Sequence, residues 1–162
     1  MSDRVLLITG ASSGIGAATA RRASAEGYRL TLAGRRLEPL EALSDELGGP
    51  DRSLAVRCDV TSWEEQQAMV ASTVSAFGQL DAVLANAGYG AASGFRNESP
   101  EHWRGMVLTN VLGPALTIRA TVDAITARRG HVLLTGSVAS RRPRPGSLYA
   151  TTKSAVAAMA EA

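Results

Sequence analysis

The sequence predicts an α/β fold built on a doubly wound parallel sheet, and three observations lead there. Short apolar runs alternate with longer helical patterns along the whole chain. Each apolar run is bounded by turn residues and lacks polar alternation, as in a parallel sheet covered by helices on both faces. The residues with special chemistry fall at the C-terminal ends of these runs, the edge at which open α/β sheets bind ligands. Five strands are expected at 4–9, 29–34, 53–58, 81–85 and 131–136, with helices at 14–26, 37–47, 62–77, 100–127 and from about 148. Such alternation implies right-handed crossovers within one domain.

The first strand, Val5-Leu6-Leu7-Ile8, runs into Thr9-Gly10-Ala11-Ser12-Ser13-Gly14-Ile15-Gly16 and then an Ala-rich helix. Glycines at a strand-to-helix junction let the backbone approach a bulky anion, and the helix points free N–H groups and its positive dipole end at that anion. The natural ligand is a dinucleotide pyrophosphate, the Rossmann arrangement, with Gly10, Ser12, Ser13, Gly14, Ile15 and Gly16 as contacts. Tight turns also use glycine simply for positive φ, so this motif needs support from further along.

The second strand ends in Ala33-Gly34-Arg35-Arg36. A dinucleotide site that prefers NAD usually places a carboxylate there, on the ribose 2′-hydroxyl. Here there is none, and a guanidinium can pair bidentately with a 2′-phosphate. NADP(H) is therefore expected over NAD(H), with Arg35 as the binder and Arg36 as reinforcement; a solvated arginine pair is the plain alternative. In the next helix Leu40, Leu43 and Leu47 form one stripe, stopped by Gly48-Gly49-Pro50.

Asp59 ends the third strand. It either caps the turn before the next helix or accepts the adenine amino group, and Val60 joins it among the expected cofactor contacts. Thr61-Ser62-Trp63-Glu64 has the form of a capping box, followed by Val70, Val74 and Phe77 at helical spacing. Asn86-Ala87-Gly88 ends the fourth strand. Small residues there let a cofactor lie across the sheet edge, although a plain strand-ending turn has the same composition.

Ser99-Pro100 reads as an N-cap and first helical residue. In the long helix that follows, Trp103, Val107, Asn110, Pro114 and Ile118 share one stripe. Pro114 lacks the N–H that would bond the Asn110 carbonyl, which predicts a kink and a carbonyl open to water. A core asparagine at a kink is the other reading. Ser137 follows the fifth strand, and Tyr149-Ala150-Thr151-Thr152-Lys153 comes twelve residues later. Tyr149 and Lys153 are i and i+4, hence on one helix face. A phenol titrates near pH ~10, and a neighbouring ammonium favours its ionised form. Ser137 could then donate to a substrate oxygen that gains negative charge. Lys153 is the only lysine among 17 basic residues.

Net charge is only +2, and Arg35-Arg36 and Arg141-Arg142 are short clusters, so no nucleic-acid partner is expected. No apolar stretch is long enough to span a membrane. The first strand begins within a few residues of Met1, leaving no room for an export signal. Cys58 is the single cysteine, so no intrachain disulfide forms and a reducing cytoplasm is the default. No residues are singled out as metal ligands.

In order and spacing, Thr9-Gly10-x-x-x-Gly14-x-Gly16, Asp59, Asn86-Ala87-Gly88, Asn110, Ser137 and Tyr149-x-x-x-Lys153 resemble the short-chain dehydrogenase/reductase family, over the whole chain. The resemblance implies hydride transfer between a nicotinamide and an alcohol/carbonyl substrate. It assigns proton transfer to Tyr149, placement of the substrate oxygen to Ser137, the nicotinamide ribose to Lys153 and a relay water to Asn110. It also implies a homodimer or homotetramer, paired through the helices corresponding to 100–127 and the one from about 148. Ala85 departs from the family, which often has a second asparagine there. A larger departure is that family members run on through two further strands and a substrate-binding helical segment, whereas this sequence stops at Ala162, inside the helix of Tyr149 and Lys153. Three explanations are open: a longer parent chain, which is favoured, a truncated product, or a partner that supplies the cover. A non-catalytic dinucleotide binder or association module is the alternative function. Tyr89, Phe95 and residues 140–147 are expected to border the substrate pocket; Arg141, Arg142 and Arg144 either attract an anionic substrate or, the favoured reading, belong to a solvated loop.

Overall fold

The computed structural model describes residues 4–90, 94–142 and 148–162. Its five strands are β1 Val5–Thr9, β2 Arg29–Gly34, β3 Ser53–Arg57, β4 Ala82–Ala85 and β5 His131–Leu134. All pair in parallel, in the order β3-β2-β1-β4-β5. Helices α1 Gly14–Ala25, α2 Leu37–Glu46, α3 Trp63–Phe77, α4 Pro100–Val107, α5 Gly113–Arg128 and α6 Leu148–Glu161 complete the described elements. The chain builds outward from β1 through β2 to β3, then crosses back to β4 on the other side of β1. The crevice beyond Thr9 and Ala85 is therefore the switch point of the sheet.

β1 is buried along its whole length, and its side chains divide between the two faces. Leu6 and Ile8 pack with Ala17, Ala20, Leu30, Leu32, Leu40 and Leu43, under α1 and α2. Val5 and Leu7 pack with Met69, Phe77, Leu80, Val83 and Ile125, under α3 and α5. Each large apolar side chain so buried stabilises the fold by about 1.5–3 kcal/mol. The alanines of α1 keep that helix close to the sheet, which brings its N-terminus onto the crevice.

Local differences from expectation have local causes. The N-cap of α3 is Ser62, whose hydroxyl accepts from Glu65 N, so the box starts one residue later than the Thr61–Glu64 spacing suggests. Thr61 is engaged elsewhere: its N–H and hydroxyl both donate to Asp59 Oδ1, at 2.9 and 2.8 Å. The expected helix at 100–127 is two helices, α4 and α5, joined by a π-helical turn at Leu108–Leu112. There Gly113 N donates to Leu108 O, five residues back. The break lies where Pro114 predicts one, but it rephases the helix rather than only bending it. β3 and β5 are shorter than expected. Cys58 N and Thr135 N still bond the neighbouring strands, to Gly34 O and Ala85 O, before the chain turns into the loops of Asp59 and Ser137. β4 starts at Ala82, one residue later than expected, and the preceding Asp81 carboxylate accepts from Val5 N at 2.8 Å. Among the described residues, no helix is long and apolar enough to cross a membrane.

Candidate active site

A cleft of about 720 Å³ opens at the switch point. Three glycines of the first turn divide the work of making it. Gly10 has φ +67°, and a Cβ there would stand 2.8 Å from Ala87 Cα. A Cβ at Gly16 would stand 2.3 Å from Gly10 O. These two glycines let the turn fold onto the end of β4. Gly14, at φ +55°, has nothing within 4 Å of its missing Cβ and faces the cleft. Ser13, the N-cap of α1, makes no side-chain capping bond. The first N–H groups of α1 are thus left for an anion, as a dinucleotide pyrophosphate requires. Ile15, 64% exposed, stands at the cleft beside Ser12 and Ser13.

The turn is clamped from below by Asn86. Its Nδ2 donates to Thr9 O and Gly10 O at 3.2 and 3.3 Å. Its backbone N–H and that of Ala87 donate to Thr9 Oγ1 at 3.0 and 3.1 Å. Asn86, Ala87 and Gly88 all line the cleft. Arg35 and Arg36, exposed at the end of β2, line its far side together with Asp59 and Val60. Neither guanidinium has a hydrogen bond or ion pair among the described residues. Asp59 does cap its turn through Thr61. Burial pushes its carboxyl up, but the Thr61 bonds and the Arg35 and Arg57 charges outweigh that and hold it below the usual range. Cys58 also lines the cleft; burial first, then the Glu65 and Asp59 charges, push its thiol up to about 12, so it is inert.

At the other end of the cleft, α6 presents Tyr149 and Lys153. The ammonium of Lys153 lies 5.8 Å from the Tyr149 ring centroid and donates to Thr135 O at 2.7 Å. The residue is 6% exposed and has no carboxylate partner among the described residues. Burial alone lowers its pKa from the ordinary lysine value. An ammonium has three N–H donors, so two remain for a ligand.

Asn110 is 1% exposed and satisfied on both ends of its amide. Oδ1 accepts from Tyr89 N at 3.0 Å, and Nδ2 donates to Tyr89 O at 2.9 Å and Thr152 Oγ1 at 3.2 Å. It thereby ties the loop after β4 to the π-turn and to α6. Ser137 is half-buried and accepts from Ala139 N at 3.2 Å, capping a short 3₁₀ turn at Val138–Ser140.

Most of the residues singled out in the sequence therefore meet in one cleft. Gly16, Asn110 and Ser137 do not line it; the first two shape its walls. Tyr89 lines the cleft, whereas Phe95 packs edge-to-face on Trp103 at 5.6 Å. Arg141 and Arg142 are exposed and do not line it. Arg144 lies in 143–147, outside the described residues. Sequence reasoning missed Thr135, which lines the cleft and bonds both Lys153 and Asn86. No local spacing marks it, because its side-chain partner Asn86 follows a different strand. It also missed Thr109, which lines the cleft from the π-turn. Among the described residues no group of His, Cys, Asp and Glu could hold a metal ion.

Known proteins are similar to this chain in sequence and in fold. The chain is 34% identical to an uncharacterised oxidoreductase of Listeria monocytogenes, over 96% of this chain and 64% of that relative. It spans about two thirds of the length of such relatives. An alcohol dehydrogenase from Thermococcus sibiricus, solved with 5-hydroxy-NADP, superposes with a TM-score of 0.92 at 34% identity, over 98% of this chain and 68% of that one. A short-chain dehydrogenase/reductase from Burkholderia phymatum, solved with NAD, gives 0.91 at 30% identity, over 99% and 60%. The short chain dehydrogenase family model matches residues 4–162. With the glycine-rich turn, the switch-point cleft and the Tyr149–Lys153 face all in place, the chain belongs to the short-chain dehydrogenase family.

Proposed function

We propose that the protein is an NADP(H)-dependent oxidoreductase that interconverts an alcohol and a carbonyl by hydride transfer, with Tyr149 as acid/base. The observation that carries this reading is the sharing of one cleft by the glycine-rich turn and by Tyr149 and Lys153. The nicotinamide would supply or accept the hydride at the carbinol carbon. The chain's own residues do the rest. The N–H groups of the turn around Gly14 and the start of α1 hold the pyrophosphate. Arg35, with Arg36 behind it, takes the 2′-phosphate; the absence of a carboxylate at the end of β2 favours NADP(H) over NAD(H). Asp59, Val60, Asn86, Ala87 and Gly88 bound the adenosine and central part of the cofactor.

In reduction, Tyr149 donates its phenolic proton to the substrate oxygen as negative charge develops there. Lys153 places a positive charge beside that ring and holds the nicotinamide ribose with its remaining donors. Ser137 positions the substrate oxygen by a hydrogen bond, and the Asn110 carbonyl holds a relay water. A homodimer or homotetramer is part of the reading, supported by Val107, Leu108, Leu112 and Val122, each 38–41% exposed on or beside α4 and α5. A reducing cytoplasm suits a protein whose single cysteine is buried.

The test is Tyr149→Phe. The wild-type protein is expected to consume NADPH with at least one member of a ketone and aldehyde panel. The variant should lose turnover by about 10²-fold or more, as loss of a positioned acid/base predicts, and still bind NADPH. Equal turnover by the variant contradicts the assignment. NADPH-dependent thermal stabilisation of the wild type without any turnover would support a dinucleotide binder instead.

A further inference from the structure

Lys153 and the glycine-rich turn both belong to the cleft, and one residue touches the support of both. Thr135 follows β5, an edge strand whose last registered pair is Leu134 with Ala85. Beyond that pair, Thr135 N donates to Ala85 O at 3.2 Å, and Thr135 Oγ1 donates to Asn86 Oδ1 at 3.1 Å. The hydroxyl thus adds a side-chain bond just past the last backbone pairing of β4 and β5. Its carbonyl accepts the Lys153 ammonium at 2.7 Å. With no carboxylate nearby among the described residues, this carbonyl is what fixes the ammonium's direction.

The other half of the link runs through Asn86. An amide presents one acceptor and two donors, and its orientation follows its partners. The Thr135 hydroxyl on Oδ1 aims Nδ2 at Thr9 O and Gly10 O. Reversing the amide would set its oxygen against two carbonyl oxygens. Gly10 sits close against the end of β4, where an added Cβ would stand 2.8 Å from Ala87 Cα.

We propose that Thr135 is a positioning residue for the dinucleotide: its carbonyl directs the Lys153 ammonium, and its hydroxyl locks the Asn86 amide beneath Gly10, so Lys153 and the glycine-rich turn are set in one register. This rests on the dinucleotide reading given above. Neither group need contact the cofactor through Thr135 itself.

Thr135→Val removes the hydroxyl and keeps shape and β-branching. Thr135→Ser keeps the hydroxyl and loses only a methyl group. NADPH affinity is measured by fluorescence titration for the wild type and both variants, each well below its own Tm. The expected result is a Kd about fivefold to tenfold weaker for Thr135→Val, the size expected when one partly buried hydrogen bond is removed. Thr135→Ser should stay within about twofold of wild type. Wild-type affinity in Thr135→Val, or equal weakening by both substitutions, overturns the proposal while leaving the cofactor reading intact. Absence of NADPH and NADH binding by the wild type overturns both.

Discussion

Gly10, Gly14 and Gly16 belong to one motif but answer to different forces. At Gly16 the limit is packing, since any Cβ collides with the backbone at Gly10 O, 2.3 Å away. At Gly14 the limit is φ +55° and an open side toward the cleft. Gly16→Ala is expected to cost about 3 kcal/mol or more through overpacking. Gly14→Ala should cost about 1–2 kcal/mol, the left-handed backbone penalty, yet weaken NADPH binding more than any loss of stability explains. Urea melts and NADPH titrations of both variants check this; an unchanged midpoint for Gly16→Ala would contradict it. Lys153 gives a pH signature. Its folded-state pKa is depressed by burial, so the unfolded chain binds more protons between that depressed value and the ordinary lysine value. Stability must then rise with pH across this window, by at most about 1.4 kcal/mol per pH unit. Below the window the buried ammonium is a standing cost. Urea melts of the wild type and Lys153→Met between pH 8 and pH 10.5 should show the wild type gaining on the variant as pH rises. A wild type that loses ground would contradict the burial account.

At the scale of elements, the start of α5 and the loop after β3 hold each other. Gln66, fully buried on α3, donates from Nε2 to Val60 O, Gly113 O and Thr117 Oγ1 at 3.0, 3.2 and 2.9 Å. A Cβ at Gly113 would stand 2.8 Å from Val60 Cγ2. Gly113→Ala is therefore expected to cost about 1–3 kcal/mol and to weaken NADPH binding, because Val60 lines the cleft. Calorimetry with and without NADPH reads both effects, and an unchanged Tm would refute the contact. The strands were legible in the sequence because each is apolar on both faces. The cap of α3 was displaced by one residue because Thr61 and Ser62 are both capping types, and only Asp59, by taking Thr61, decides between them. Pro114 foretold a break but not a π-turn, since a missing N–H does not say how the backbone rephases. The glycine-rich turn, Arg35 and Tyr149 with Lys153 could be read from local spacing. Thr135 could not, because its partner Asn86 is 49 residues away and only the pairing of β4 with β5 brings them together.

For the whole molecule, parallel pairing gathers the C-terminal ends of five strands on one edge, and the crossing from β3 to β4 opens the crevice between them. That geometry brings the glycine-rich turn and the Tyr149–Lys153 face into a single cleft. In the proposed reaction, hydride crosses this cleft while Tyr149 moves the proton. This is tested most directly by incubating the protein with NADPH deuterated on either face of nicotinamide C4 and a carbonyl panel, then locating deuterium in the product by mass spectrometry. The predicted result is an alcohol with one deuterium on its carbinol carbon, from one face of the nicotinamide only. Absence of deuterium from every product, or its arrival equally from both faces, would contradict it.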